Sequence, residues 1–586
     1  MKNNFFLVAF LLMVFSCTSE KKTAVTYADQ VWVHQLSDPE GLHPTNVNDA
    51  SATAMRRYLF QRLLAIDFET LKLTPWMAKE LPTMDISPDG KGMHIHYELR
   101  PGMSWDDGSP ITPRDVEFSF MCVKNPKVDC PDLSPYMDFI TDFKYDETNS
   151  LRFILICDRK YMLWDYASGN DFFVFQESKY DPSGTMKKYH LGDVSDRQKQ
   201  VSIMPDLEAF AKVFNSEKYS REPDFFSGSG PYKFVKWETG QRLLFERKAN
   251  WWGDTYKDQG MFFEPGPAKI IFEIVNDQTS AITALKAEKL DCYNSVRTTD
   301  WVDLPKSEKF MAKFQRLTPD DLTFSYIGLH IKDPKFREVK TRQAIAHLTN
   351  IDRINETIMY NLCTPTIGPI LPMFTKDYAS EIKPYTYDPA KAKQLLAEAG
   401  WKDKDKDGIL DKELDGKLTP FKIKYCYNQG NDMRKNVGLA LQESARQAGI
   451  EIEVIPVEWA VYLERLKQHQ IEMWYGSWVA DPRPDDPKQI WSTEAYNTGG
   501  SNYTGWGNAE TDKLIEDIRA ELDEDKRAVL YHKYQQKLHD EVPYIFLFTQ
   551  KMRNAVHRRF TNLSSGSVYP GFYPGAFMPA KGISDK

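Results

Sequence analysis

The chain has 586 residues, 41% hydrophobic and 27% charged, with a formal net charge of −8 at pH 7. That balance excludes a disordered or fibrous chain, and the acidic surplus argues against a nucleic-acid binder, which would carry a basic patch. The length exceeds what one core usually reaches, so two or three domains are expected.

The chain opens with a short basic end, Met1-Lys2-Asn3-Asn4, and an apolar run from Phe5 to Phe15. The run is too short to span a bilayer but fits the apolar region of a secretory signal. Val14-Phe15-Ser16-Cys17 has the form of a bacterial lipobox. Residues 1–17 are therefore read as a lipoprotein signal ending at a lipidated Cys17, with an ordinary signal cleaved elsewhere as the alternative. Residues 18–28 read as a tether. The expected location is the periplasm or cell surface, held to a membrane by the lipid, since no later segment is apolar for long enough to cross one.

Val31 to His34 reads as a strand, broken by Asp38-Pro39-Glu40-Gly41. Apolar residues at helical spacing (Met55, Leu59, Leu63) predict a helix from Ala52 to Leu64. Met93 to Leu99 alternates as a strand does. Thr112 can cap a helix that begins at Pro113, and Asp115 stands where a capping box puts an acid. Cys122 and Cys130 bracket a turn; in an oxidising compartment they could pair, with buried thiols as the alternative. Tyr232 to Trp237 and Arg242 to Arg247, joined through Gly240, form a hairpin. Asp388 caps a helix that starts at Pro389 and ends at Gly400. Asp403, Asp405 and Asp407 have EF-hand spacing, but the twelfth position is Leu414 rather than the bidentate Glu such a loop needs, so a charged turn is favoured over a calcium site. A long helical region runs from Asp512 to His539, broken near Asp523-Glu524-Asp525. Strands and helices interleave throughout, which predicts α/β domains.

Catalytic signatures are missing. There is no His-Glu-x-x-His, no phosphate-binding Gly-x-x-x-x-Gly-Lys and no Gly-x-Ser-x-Gly elbow, and the 11 His show no metal-ligand spacing. No cofactor is expected. The 14 Trp and 29 Tyr suit a cleft that packs around a ligand.

The landmarks occur in an order that resembles the extracellular solute-binding proteins of family 5, the oligopeptide and dipeptide receptors of ABC importers. The resemblance rests on Tyr97-Glu98-Leu99-Arg100-Pro101-Gly102 with Trp105-x-Asp107-Gly108; Gly228-Ser229-Gly230-Pro231-Tyr232; Ala284 to Asp291; Arg342-Gln343-Ala344-Ile345 with Ile351-Asp352-Arg353; Tyr387-Asp388-Pro389 with Leu395 to Trp401; and Gly476-Ser477-Trp478-Val479-Ala480-Asp481. It implies a two-lobed periplasmic-binding-protein-like fold with an extra third domain, of the cluster C type. Domain I would take 25–55, 190–305 and 545–586, domain II on the same lobe 56–189, and domain III, the second lobe, 306–544. It also implies a peptide or other small solute as ligand, permease subunits as partners, a monomer and no catalysis.

By position, the family's Trp-x-x-Asp makes Asp481, behind Trp478, the acid that meets a peptide's α-ammonium. Capping the turn at Pro482 is its competing role. Trp459 matches a Trp lining side-chain pockets, with core packing as the alternative. Asn48, Asp49 and Ala50 match the stretch that meets a peptide backbone, and Asn502 matches a cleft Asn. The positions that hold a short peptide's carboxylate fall near Asn428, Met433 and Tyr475, none of them basic, with Arg434 one residue away. Alternatives to a peptide are an oligosaccharide or a metal chelate on the same scaffold, or a surface lipoprotein outside transport.

Overall fold

The strand Gln30–Gln35, with Val31 and Val33 turned fully inward, lies at the centre of a seven-stranded sheet. The protein is described by a computed structural model, which covers residues 29–46, 49–130, 133–264 and 266–580. The signal segment, Cys17, the tether to residue 28 and Asn48 lie outside the described residues. No helix among the described residues is long and apolar enough to cross a membrane.

The central strand pairs in parallel with Lys269–Ile274 and Cys292–Tyr293. The hairpin Tyr232–Glu238 and Arg242–Arg247 extends the sheet at one edge, and Asn554–His557 and Phe314–Leu317 complete it at the other. One buried ion pair ties three distant segments of this sheet. Asp291 accepts from Arg559 at 2.7 and 2.5 Å and from the Trp32 amide at 2.8 Å, while Arg559 also donates to the Gln30 carbonyl at 2.9 Å.

A four-stranded antiparallel sheet, Thr83–Ile86, Met93–Glu98, Arg152–Cys157 and Ile140–Tyr145, builds the extra domain. Its strands alternate, as Met93, Ile95 and Tyr97 bury one face. The helix Pro113–Lys124 lies against it and is started by the expected capping box, in which Asp115 accepts from the Thr112 amide at 2.9 Å. Cys122 and Cys130 are buried thiols, Cys130 Sγ donating to the Val123 carbonyl at 3.4 Å, so the structure takes the unbridged alternative. Burial pushes the Cys122 thiol well up.

The second lobe is a six-stranded sheet in the order Cys363–Pro365, Tyr544–Lys551, Asp320–Leu329, Met473–Val479, Lys422–Asn428, Glu451–Val457. Helices cover it, among them Pro389–Glu398 with Asp388 accepting from the Lys391 amide, and the pair Ala509–Ala520 and Glu524–Glu541, separated at Asp523 as the acidic cluster predicts. The fold is thus α/β with two lobes.

The chain changes sheet at 317–320 and again at 551–554, rather than at 306 and 545 as the sequence suggests. The two crossings lie side by side. Leu317 pairs with Asn554, Asp320 pairs with Lys551, and the Met552 amide donates to the Pro319 carbonyl at 2.8 Å. Lys551 and Asp320 add an ion pair of 2.8 Å.

The first helix, α1 (Ala50–Leu59), is capped by Asp49, whose carboxylate accepts from the Ala52 amide at 2.8 Å. The apolar spacing predicts five more residues. The helix stops because the Gly228-Ser229-Gly230 loop abuts its end: the Gly230 amide donates to the Leu59 carbonyl at 2.8 Å and Ser229 Oγ accepts from the Gln61 amide at 3.0 Å. A Cβ on Gly228 would meet the Leu59 oxygen at 2.0 Å, so only glycine allows this approach.

Candidate ligand-binding cleft

A cavity of about 1130 Å³ lies between the lobes. The first lobe supplies α1 and residues after it, together with Asn170, Asp171 and Phe173; the second supplies Asp321, Leu322, residues 479–483, Asp486, Lys488 and Gln489. A smaller cavity of about 250 Å³ adjoins it and shares Asp481 and Arg483.

Asp481 lines both cavities, and its side chain is 63% exposed. One carboxylate oxygen is engaged by Arg483 Nη2 at 2.8 Å, and the other guanidinium nitrogen of Arg483 reaches Asp171 on the first lobe. The two acids hold the Arg483 guanidinium well above its ordinary range, despite burial pulling the other way. Tyr161 donates to Asp486 at 3.2 Å, Arg519 pairs with the same carboxylate at 3.0 Å, and the Met162 amide donates to the Arg519 carbonyl at 3.0 Å. The lobes therefore touch along one rim of the cleft through a charged seam.

Within that seam Asp485 is the misfit. Its Oδ2 has no partner, and burial, reinforced by the Asp486 and Asp481 charges, raises its carboxyl to about 7. It lines the smaller cavity beside apolar Phe324, Leu371 and Phe374.

Of the sequence-predicted residues, Trp478 lines the smaller cavity, its indole donating to Tyr544 OH at 3.3 Å. Ala50 lines the larger one, and Asp49 stands beside it as the α1 cap. Trp459 is half exposed and stacks on Tyr462 at 5.8 Å, outside both cavities. Asn502 is also outside them: its amide donates to the Ser492 and Trp506 carbonyls and accepts from Thr504 and Gly505, which fixes its own loop. Arg434 donates to Asn428 at 2.9 Å and lies over the Tyr475 ring, away from the cavity wall. Asp403, Asp405 and Asp411, not Asp407, bring carboxylate oxygens within 4.8 Å of one another; Asp407 instead accepts from the Ile409 amide at 2.7 Å.

Arg56, Arg57 and Arg62, which belong to no motif, all line the larger cavity. Arg56 donates to the His43 carbonyl at 2.7 Å and to Thr53 Oγ1 at 3.1 Å, and Arg62 to Asn170 at 3.4 Å over the ring of Phe173. Arg57 reaches the Tyr569 carbonyl at 3.5 Å and lies over Phe68. The signal was available: no acid stands between Ser51 and Ile66, so these cations have no helical partner. His43, which carries the loop to Arg56, is buried and held neutral, its ionisation pushed down to about 3 by burial.

The family profile described as Bacterial extracellular solute-binding proteins, family 5 Middle, matches residues 72–501. The oligopeptide-binding protein AppA of Bacillus subtilis (strain 168) is 26% identical over 527 residues, covering 88% of this chain and 85% of that protein. Among solved structures, AppA from Bacillus subtilis in complex with a nonapeptide superposes with a TM-score of 0.68 at 22% identity, covering 94% of this chain and 99% of that one. NikZ from Campylobacter jejuni in complex with Ni(L-His) gives 0.69 at 18% identity, with the same coverage.

Proposed function

This chain belongs to the family 5 bacterial extracellular solute-binding proteins, and we propose that it is the lipid-anchored receptor of an ABC importer, binding peptides in the interlobe cleft and delivering them to the membrane permease. The observation that carries this reading is the cavity itself. At about 1130 Å³ it exceeds the ~300–1,000 Å³ of common small-molecule pockets, as a peptide of several residues requires. It is lined from both lobes, and the lobes are joined by one pair of adjacent strands. A ligand touching both walls favours the closed arrangement, and the permease reads that closure. Asp481 takes the ligand's ammonium on a carboxylate it also shares with Arg483, while Trp478 and Ala50 bound the chain on either side.

Small-angle scattering and calorimetry with a mixed hexapeptide pool test the reading. Expected is a smaller radius of gyration on binding, and a loss of about tenfold in affinity for Asp481→Ala. Unchanged scattering with no heat of binding overturns it. For the anchor, Cys17→Ala in the full chain should move the protein from the membrane to the soluble fraction.

A metal chelate is the second reading. It is favoured by the arginines that face the cleft without carboxylate partners, since chelating groups carry carboxylates, and a structure of the same fold holds Ni(L-His). Native mass spectrometry of the purified protein separates the two.

A further inference from the structure

A guanidinium taken out of water is costly unless a counter-charge replaces the lost hydration. Arg56 is 5% exposed, and its Nε has no partner; the Nε of Arg62 is likewise buried and without one. Every hydrogen-bond acceptor these two and Arg57 use among the described residues is neutral: the carbonyls of His43 and Tyr569, the hydroxyl of Thr53 and the amide of Asn170. Burial pulls Arg56 down to about 10, and burial with repulsion from Arg57 and Arg56 pulls Arg62 down to about 9. All three remain cationic at neutral pH.

The acids whose fields reach them are engaged elsewhere. Asp49, near Arg56, caps α1 and accepts from the Glu40 amide. Asp171 and Asp481, which act on Arg62, are both shared with Arg483. The first-lobe wall thus holds net positive charge that the protein itself does not neutralise, on side chains steadied by Phe68 and Phe173 and opening on the cavity.

We propose that Arg56, Arg57 and Arg62 form an anion-binding subsite on the first-lobe wall, and that it selects solutes presenting a carboxylate there. The proposal rests on the reading of the cleft as a peptide site and specifies what that peptide must carry. Arg57 and Arg62 make the direct contacts, since both are partly exposed, whereas Arg56 is buried and adds mainly charge. The carboxylate comes from an acidic side chain or from the C-terminus. A fork of two parallel N–H groups fits either, and a lysine would not.

Three synthetic hexapeptide mixtures test this by calorimetry at fixed ionic strength: one with two Glu and a free C-terminus, one with Gln in place of Glu, and one with Gln and a C-terminal amide. The wild-type protein should bind the first about tenfold more tightly than the third. Arg57→Gln combined with Arg62→Gln should bind all three alike, while Arg57→Lys with Arg62→Lys keeps part of the preference. If affinity falls between the first and second mixtures, the side chain is the source; if between the second and third, the terminus is. A wild type that does not discriminate, or a double Gln variant that still does, overturns the subsite. If no mixture binds, the peptide reading fails, and the subsite is decided by melting temperature in citrate and in inorganic phosphate. A rise with citrate that the double Gln variant lacks upholds it. A rise with phosphate alone, or with neither, overturns it.

Discussion

Around Arg483 each cation is matched, whereas around Arg62 none is. Arg483 lies between Asp171 and Asp481, and Arg519 pairs with Asp486, so the rim that joins the lobes closes its own electrostatics. A few residues away in space, Arg56, Arg57 and Arg62 meet only carbonyls, a hydroxyl and an amide. The chemical groups are the same, and Asn170 links the two regions, accepting from Arg62 on one side and leaning on Asp171 at 3.5 Å on the other. The difference separates charge that holds the protein together from charge held for something else.

The same substitution should therefore act differently in the two places. Arg483→Met strands the largely buried Asp171 carboxylate with no cation and should cost about 3–5 kcal/mol of stability in urea unfolding. Arg62→Met relieves repulsion at the loss of one contact over Phe173 and should leave stability within about 1 kcal/mol of wild type. Equal losses at both sites would erase the contrast.

Acidity sharpens it further, because each region carries one displaced group of opposite slope. Asp485, raised to about 7 from an unfolded value near ~4, binds its proton more tightly in the folded chain. Its contribution is complete below about pH 4 and is lost as pH rises to 7. His43, pushed down to about 3 from ~6.5 when unfolded, contributes fully above about pH 6.5 and loses it as pH falls toward 3. Relative to wild type, Asp485→Asn should gain stability as pH rises across 4 to 7, with a slope of up to about 1.4 kcal/mol per pH unit, and His43→Gln should gain as pH falls across 6.5 to 3. Denaturant titrations at four pH values check both signs; parallel curves for wild type and either variant would remove that group from the account.

The smallest effect belongs to the crossing between the lobes. Lys551 and Asp320 are 35% and 41% exposed, so Lys551→Ala should change stability by less than about 1 kcal/mol. A larger change would mean that the crossing is held by charge rather than by its strand pairing.

Much of the fold was legible because its signals are local. The Thr112–Asp115 capping box, the Asp388-Pro389 helix start and the break at Asp523 each depend on residues within one turn. The overrun past Leu59 had no local cause, since the stop comes from Gly230, far along the chain. The cleft was legible in part for the same reason. Motif order placed Asp481 and Trp478 beside cavities, but it carries no information on what else surrounds a side chain, so the Arg483 bridge to Asp171 was invisible, and Asn502 was assigned to a cleft it does not line. Arg57 and Arg62 carry no motif, so what distinguishes them is visible only in the neutral partners that surround them in space.

The segment from Asp320 to Lys551 begins and ends at one spot, its first and last residues paired across a strand ladder. A segment with coincident ends can be exchanged between relatives, or excised and bridged by a short linker, without stretching the backbone it leaves behind. The second-lobe wall of the cleft can then change by substitution of a whole unit while Arg56, Arg57 and Arg62 stay where they are.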